Sequence, residues 1–314
     1  MRLRVGISSC LLGHEVRYDG GHKRDAFLVD TLGQVVEWVP VCPEVELGLG
    51  IPRESIRLEG DPAAPQLVAV KHRTNHTSAM ARLARRRVDA LAAGGIGGYV
   101  RKKDSPSCGM IRVRVYGDGG GPPARTGVGA FARVLLDRLP LLPVEEEGRL
   151  HDPGVRENFV ERLFAYARWR TYEERPTRGG LVRFHTAHKL TLLAHDPAAY
   201  RRLGALVARA KARPLRTVAD EYGAAFMTAL RTRATPARHA NVLEHMLGYF
   251  SAELSAAERQ EMVESIRDHR RGLVPLVVPL TLIKHHVRTQ DVAYLAGQTY
   301  LDPHPKELML RNHV

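Results

Sequence analysis

Apolar residues fall along this chain in two textures. Over roughly the first 150 residues they come as short β-prone runs broken by turns and helical stretches. Residues 3–9 (LRVGISS) make one run that ends at Cys10. Residues 35–42 (VVEWVPVC) make a second, ending at Cys42 and closed by Pro43, and residues 67–70 (LVAV) a third. Residues 75–93 place Met80, Leu83, Ala84, Val88 and Leu91 at helical spacing, with Arg82, Arg85, Arg86 and Arg87 at solvated positions. Gly94, Gly95, Gly97 and Gly98 stop that helix. Tyr99 and Val100 open another strand, which runs into the turn Lys102–Gly109. Residues 117–129, rich in Gly and Pro, read as a loop, 130–138 as a helix and Leu139–Val144 as a further strand. Strands alternating with helices predict an α/β domain built on an open, mostly parallel, Rossmann-like sheet.

From about residue 155 the period changes. Residues 155–173 read as a helix with Phe159, Leu163, Phe164 and Tyr166 or Ala167 spaced for burial. Residues 174–184, with Pro176, Gly179 and Gly180, are the expected boundary. Beyond them the chain predicts helices over 185–194, 197–211, 214–232, 236–251, 255–270, 275–288 and 290–296. The expected organisation is an α/β domain over 1–150, a helix and linker over 151–184, and an all-α domain over 185–314. Neither an internal repeat nor a low-complexity segment interrupts this plan.

Composition changes the picture in three places. With 44% hydrophobic and 26% charged residues, the chain suits a soluble globular protein with its own core. No apolar run approaches the roughly 18 residues of a membrane span. The start, MRLRVGISSCLLG, lacks the long apolar region of a signal peptide, so a cytoplasmic location and no membrane partner are expected. Residues 1–184 hold 29 Lys+Arg against 22 Asp+Glu, and residues 185–314 hold 18 against 12, so the net +13 divides as +7 and +6. An Arg-rich excess on both halves favours a polyanion partner, although a biased genome produces the same composition.

The three cysteines, Cys10, Cys42 and Cys108, are an odd number spaced 32 and 66 residues apart. That excludes a paired disulfide framework, and the lack of any C-x-x-C excludes a zinc ribbon. Each follows an apolar, strand-like run and precedes a turn. Ligands of open α/β sheets bind beyond the carboxyl ends of the strands, so three strand ends can bring three thiolates together. Such a trio suits a 4Fe–4S cluster; four thiolates are the rule, and three leave one iron open as a Lewis acid. Three buried free thiols, or a three-ligand zinc site, are the alternatives.

The runs S-S-C-L-L-G (Ser8–Gly13), V-R-Y-D-G (Val16–Gly20), V-C-P-E (Val41–Glu44) and K-D-S-P-S-C-G (Lys103–Gly109) together resemble the thiouracil desulfidase family over roughly residues 1–150. The resemblance implies that Cys10, Cys42 and Cys108 hold a 4Fe–4S cluster with one open iron. It assigns the catalytic glutamate to Glu44 and the active-site serine to Ser105, with Ser107 two residues away. After Glu44 the chain reads V-E-L-G-L-G where the family more often has Gly-Gly-Leu. The second half, through His188–His195, Tyr200–Gly204, Asn241–Phe250 and Tyr300–Asn312, resembles the helical domain often fused to that family. The fused form is similar to tRNA 4-thiouridine desulfidases, which implies thiolated tRNA as partner, with small thiobases as further substrates.

The residues permit that chemistry. A thiocarbonyl sulfur is soft and suits an open iron. Glu44, two residues from a ligand, can take a proton from the water that attacks the carbon, and no electron is consumed. A carboxylate favoured by a helix N-terminus is the plainer reading of Glu44. Ser105 can position that water or the base, Lys103 can counter the charge of the cluster, and Ser107 and Asp19 complete the expected substrate contacts. For Asp19 a turn role is equally natural. Ten histidines in residues 185–314 complete no recognisable ligand set and read as structural or RNA-contacting. Arg201 and Arg202, in Tyr200-Arg201-Arg202, are the expected tRNA contacts, against a plain solvated helix face. The competing functions are an iron–sulfur RNA-binding regulator without catalysis and a zinc-dependent base hydrolase; oligomeric state is unspecified.

Overall fold

A computed structural model describes residues 2–117, 119 and 121–313. The chain divides into two units, Met1–His151 and Asp152–Val314.

In the first unit, strands β1 (Leu3–Ser8) and β2 (Val36–Val41) lead into a one-turn helix α1 (Pro43–Glu46). Strands β3 (Ile56–Glu59) and β4 (Gln66–Ala69) precede helix α2 (Thr77–Ala93). Then follow β5 (Tyr99–Arg101), β6 (Val113–Tyr116), β7 (Ala124–Gly127), helix α3 (Ala130–Arg138) and β8 (Val144–Glu146). One sheet has the order β2-β1-β5-β8 and is parallel throughout, with Ser8 opposite Val41, Ile7 opposite Val100 and Arg101 opposite Glu146. Helix α2 buries Met80, Leu83, Ala84, Val88 and Leu91, the face its periodicity marks.

A second, mixed sheet of order β4-β3-β6-β7 is the main departure from expectation. Only its β4 is prominent in the sequence. Strands β3 and β6 are four residues each, and β7 (ARTG) has no apolar alternation at all. Strand β7 lies inside the stretch expected as a loop over 117–129, of which Asp118 and Gly120 lie outside the described residues. The strand expected at Leu139–Val144 begins only at Val144. Pro140 and Pro143 remove backbone donors, and Leu139 N–H and Leu142 N–H bond back to Leu135 O and Leu139 O as turns.

The second unit is helical: α4 (Pro153–Glu174), α5 (Arg178–His195), α6 (Pro197–Ala208), α7 (Leu215–Ala229), α8 (Pro236–Leu247), α9 (Ala256–Arg270), α10 (Val277–Thr289) and the short α11 (Ala293–Ala296). Helix α5 starts at Arg178, inside the stretch expected as linker, because the Thr177 side chain accepts from Gly180 N–H and caps it. Asp152, Asp196 and Thr235 cap α4, α6 and α8 in the same way, each before a proline at the first helical position. Leu190, Val242, Leu243, Met246, Ile266, Leu280 and Ile283 form the apolar core of this unit. Among the described residues no helix is long and apolar enough to cross a membrane.

Candidate active site

The parallel sheet delivers all three cysteines to one end. Cys10 lies in a 3-10 turn (Ser9–Leu12) just past β1, and its carbonyl accepts from Lys23 N–H at 2.8 Å. Cys42 follows β2 and is the N-cap of α1. Cys108 follows the turn after β5. The three line one cavity of about 720 Å³ together with Glu44, Arg53, Lys102, Lys103 and Ser105. All three are free thiols.

The S-P-S-C-G segment is held from inside and outside. Ser105 Oγ accepts from Ser107 N–H (3.3 Å) and Cys108 N–H (3.1 Å), and Gly109 N–H donates to Ser105 O (2.8 Å). The first turn of α3 closes on it: Ala130 N–H donates to Pro106 O, and Phe131 N–H and Ala132 N–H to Ser107 O. Gly129 permits that approach, since a Cβ there would meet Ser107 O at 2.5 Å. Ser105, the serine expected in catalysis, lines the cavity and also holds the Cys108 turn, and its Oγ stands 3.0 Å from Ser107 Oγ. The fully buried Ser107 hydroxyl donates to Glu44 Oε1.

The other carboxylate oxygen of Glu44 belongs to Arg53, which the sequence reading missed. Arg53 Nη2 lies 2.6 Å and Nε 3.1 Å from Glu44 Oε2, and the same guanidinium donates to Gly50 O (2.9 Å) and Val16 O (3.0 Å). The two side chains are 4% and 14% exposed. Nothing local links residues nine apart across a turn, and Arg53 reads in the sequence as one more surface cation. Glu44 is therefore gripped on both oxygens at the cavity wall.

Burial dominates the thiols. It pushes Cys10 up to about 12, aided by the nearby Cys108 and Cys42, and Cys108 up to about 11; Cys42 is raised too, again by burial. A cation must replace the protons for these groups to be thiolates. The surroundings are built for the negative charge that results. Lys102 and Arg17 offset the charge at Cys10, and Arg101 that at Cys108. Arg101 is completely buried, packed over Tyr99 (5.3 Å) and Phe131 (5.7 Å), and among the described residues Nε, Nη1 and Nη2 have no hydrogen-bond partner. An unpaired buried guanidinium costs several kcal/mol. Near the Cys108 thiol it is the natural complement of an anionic thiolate-bound cluster. Among the described residues no three His, Cys, Asp or Glu side chains already surround a single-ion position. Three soft thiols lining one cavity, with cationic side chains to offset their charge, fit a 4Fe–4S cluster.

The other expected residues separate. Lys103 lines the cavity, with its stem against Gly148 and its N–H donating to Glu147 Oε2 (2.7 Å); Lys102, beside it, pairs with Glu147 Oε1 at 2.6 Å. Asp19 lies outside the cavity lining: its carboxylate accepts from Gly21 N–H (3.1 Å) and pairs with Arg17 (3.3 Å) in an exposed turn. In the second unit Arg201 and Arg202 are exposed on α6. The α5 histidines are interior: His188 stacks on Phe184, and His195 bridges Thr232 O (2.6 Å) and Glu161 Oε2 (3.1 Å).

Comparison with known proteins matches the two halves separately. Residues 5–147 match the family described as 2-thiouracil desulfurase, and residues 189–305 one described as a protein of unknown function (DUF1722). The uncharacterized protein YbgA of Escherichia coli (strain K12) is 37% identical over 153 residues, 48% of this chain and 90% of that protein. Among solved structures, the 4Fe–4S-dependent thiouracil desulfidase TudS is 30% identical and aligns over 48% of this chain and 95% of its own, with a TM-score of 0.41.

Proposed function

Because the chain belongs to the 2-thiouracil desulfurase family through residues 5–147 and carries a YbgA-like helical half, we propose that it is a 4Fe–4S-dependent desulfidase of thiolated uracil bases whose substrate is 4-thiouridine in tRNA. The reaction is a hydrolysis: the thiocarbonyl and one water become a carbonyl and hydrogen sulfide, with no electrons exchanged. The observation that carries this reading is the meeting of Cys10, Cys42, Cys108 and a doubly anchored Glu44 at one cavity.

In this reading Cys10, Cys42 and Cys108 hold the cluster. When bound, it supplies an iron without a protein ligand, a Lewis acid matched to soft sulfur. Glu44 takes the proton of the attacking water. Arg53 and Ser107 keep its carboxylate from rotating, so its free lone pairs face the cavity. Ser105 fixes the Cys108 turn and, through Ser107, the orientation of Glu44. Arg101 balances the charge of the ligands, Lys103 and Lys102 keep the cavity rim cationic toward a phosphate-bearing substrate, and Asp19 serves its turn. The helical half supplies affinity for tRNA, with Arg201 and Arg202 on backbone phosphates. Free thiol ligands and an oxygen-sensitive cluster suit a reducing cytoplasm.

The test is a substrate panel under anaerobic conditions: tRNA carrying 4-thiouridine, tRNA carrying a 2-thiouridine, and free thiouracils. The reading expects sulfide from the first at the highest kcat/KM. Preference for a free base overturns the tRNA assignment, and no sulfide from any of them, with the cluster present, overturns the desulfidase.

A further inference from the structure

A cavity of about 670 Å³ between α5 and α6 plays no part in the desulfidase chemistry. Arg178, Lys189, Arg201 and Lys211 line it, and among the described residues no carboxylate does and none of the four makes an ion pair, Arg178 donating instead to Ala210 O and Arg213 O. In a chain with 34 acidic residues, a pocket lined by four cations free of ion pairs and by no acid is selective for anions.

Its floor is a buried imidazole. His185 is 4% exposed, and among the described residues its Nε2 has no hydrogen-bond partner. Its Nδ1 lies 3.1 Å from Tyr222 Oη, and that fully buried phenol makes no other hydrogen bond among the described residues. The phenol donates to Nδ1, which leaves the ring proton on Nε2. Burial, with Lys189 nearby, lowers His185 to about 4, so at neutral pH it is an uncharged donor.

Above that atom sits Gly204, in the interior of α6. A Cβ there would meet only His185 Nε2, at 3.6 Å, an ordinary contact. Glycine inside a helix costs about 1 kcal/mol relative to alanine. Nothing steric demands it here; what it provides is an open path to Nε2. Tyr200 flanks the opening and Val182 and Val207 its apolar side, surfaces suited to a base or ribose.

We propose that this pocket binds the phosphate of one nucleotide, with His185 Nε2–H as donor and Lys189, Arg201 and Lys211 as counter-charges. The proposal deepens the tRNA reading of the helical half but rests on the pocket's own geometry. The phosphate can be the diester of an RNA backbone or the monoester of a free nucleotide.

The test uses the full-length protein and calorimetric titration with UMP, orthophosphate, uridine and a short single-stranded RNA. Expected is saturable binding of UMP with competition by orthophosphate, or of RNA, and none of uridine. Gly204→Ala should weaken that binding about tenfold while holding or raising thermal stability, and so should a Lys189→Gln/Lys211→Gln pair. RNA but not UMP affected by these changes assigns the pocket to the phosphodiester, and UMP but not RNA to a free nucleotide. Equal affinity for UMP and uridine overturns the proposal, as does undiminished binding of all phosphate probes by Gly204→Ala and the lysine pair. If tRNA affinity falls in Arg202→Ala but not in those variants, the helical half still binds tRNA and the pocket assignment alone is lost.

Discussion

Replacing Arg53 by Met tests whether Glu44 is held as a unit. At 2.6 Å and an effective dielectric near 20, the gross attraction of the pair is about 6 kcal/mol. Desolvation of two nearly buried side chains offsets much of it. Removing the cation alone leaves the carboxylate uncompensated, and such a loss costs about 3–5 kcal/mol. Glu44→Gln removes the opposing charge, so Glu44→Gln/Arg53→Met should be more stable than Arg53→Met, with a coupling of about 2 kcal/mol or more. Urea unfolding of the four proteins of the cycle, loaded with cluster under anaerobic conditions, measures it. Arg53→Lys should recover part of the stability but little turnover, because a point charge cannot hold Oε2, Gly50 O and Val16 O together. Additive effects within about 0.5 kcal/mol, or full activity in Arg53→Met, would refute the claim that Arg53 positions Glu44.

The two serines should separate. Ser107→Ala removes a hydrogen bond to a carboxylate, worth about 1.5–3 kcal/mol, so kcat should fall about 10- to 100-fold with iron content unchanged, whereas Ser105→Ala should lower iron content by loosening the Cys108 turn. In the helical half, burial alone would lower His195, but Glu161 outweighs it and raises His195; burial would raise Glu161, but His195 and then Arg311 hold it low. The His195 contribution is complete below its ordinary 6.5 and lost as pH rises through the higher folded value, and that of Glu161 is complete above 4.5 and lost as pH falls through the lower one. Stability from this pair therefore peaks between about pH 4.5 and 6.5, and Glu161→Gln should flatten the alkaline decline in Tm; an unchanged profile contradicts the assignment. Arg201→Ala/Arg202→Ala should weaken tRNA binding and reduce its salt slope by about 2 without altering turnover of a free thiobase, as filter binding and sulfide assays can show.

Much of the site could be read from the chain because its geometry is local to strand ends. Cys10 and Cys42 stand within two residues of the ends of β1 and β2, so a parallel sheet suffices to bring them together. What escaped is what depends on tertiary approach. Arg53 reaches Glu44 across a turn that no periodicity marks. Arg101 ends a strand, where a cation reads as solvated, yet the packing of Tyr99 and Phe131 buries it completely. The choice between Ser105 and Ser107 turned on side-chain direction, since both sit in one S-P-S-C turn and only the fold decides which hydroxyl meets Glu44. The second sheet was mostly hidden because its strands are short and pair across long separations, as β3 with β6. Helix α5 began earlier than its apolar period because a threonine cap and not hydrophobicity sets its start.

The central claim is hydrolytic removal of sulfur by Glu44 beside a three-cysteine cluster. The most direct measurement is anaerobic single-turnover mixing of cluster-loaded protein with 4-thiouridine tRNA, following sulfide, uridine and the cluster's visible absorbance together, for the native chain and Glu44→Gln. The account predicts one sulfide per uridine with no added reductant in the native chain, and in Glu44→Gln an intact cluster with turnover lost about 100-fold or more. Equal turnover in Glu44→Gln, or sulfide release that requires and consumes a reductant, would contradict it.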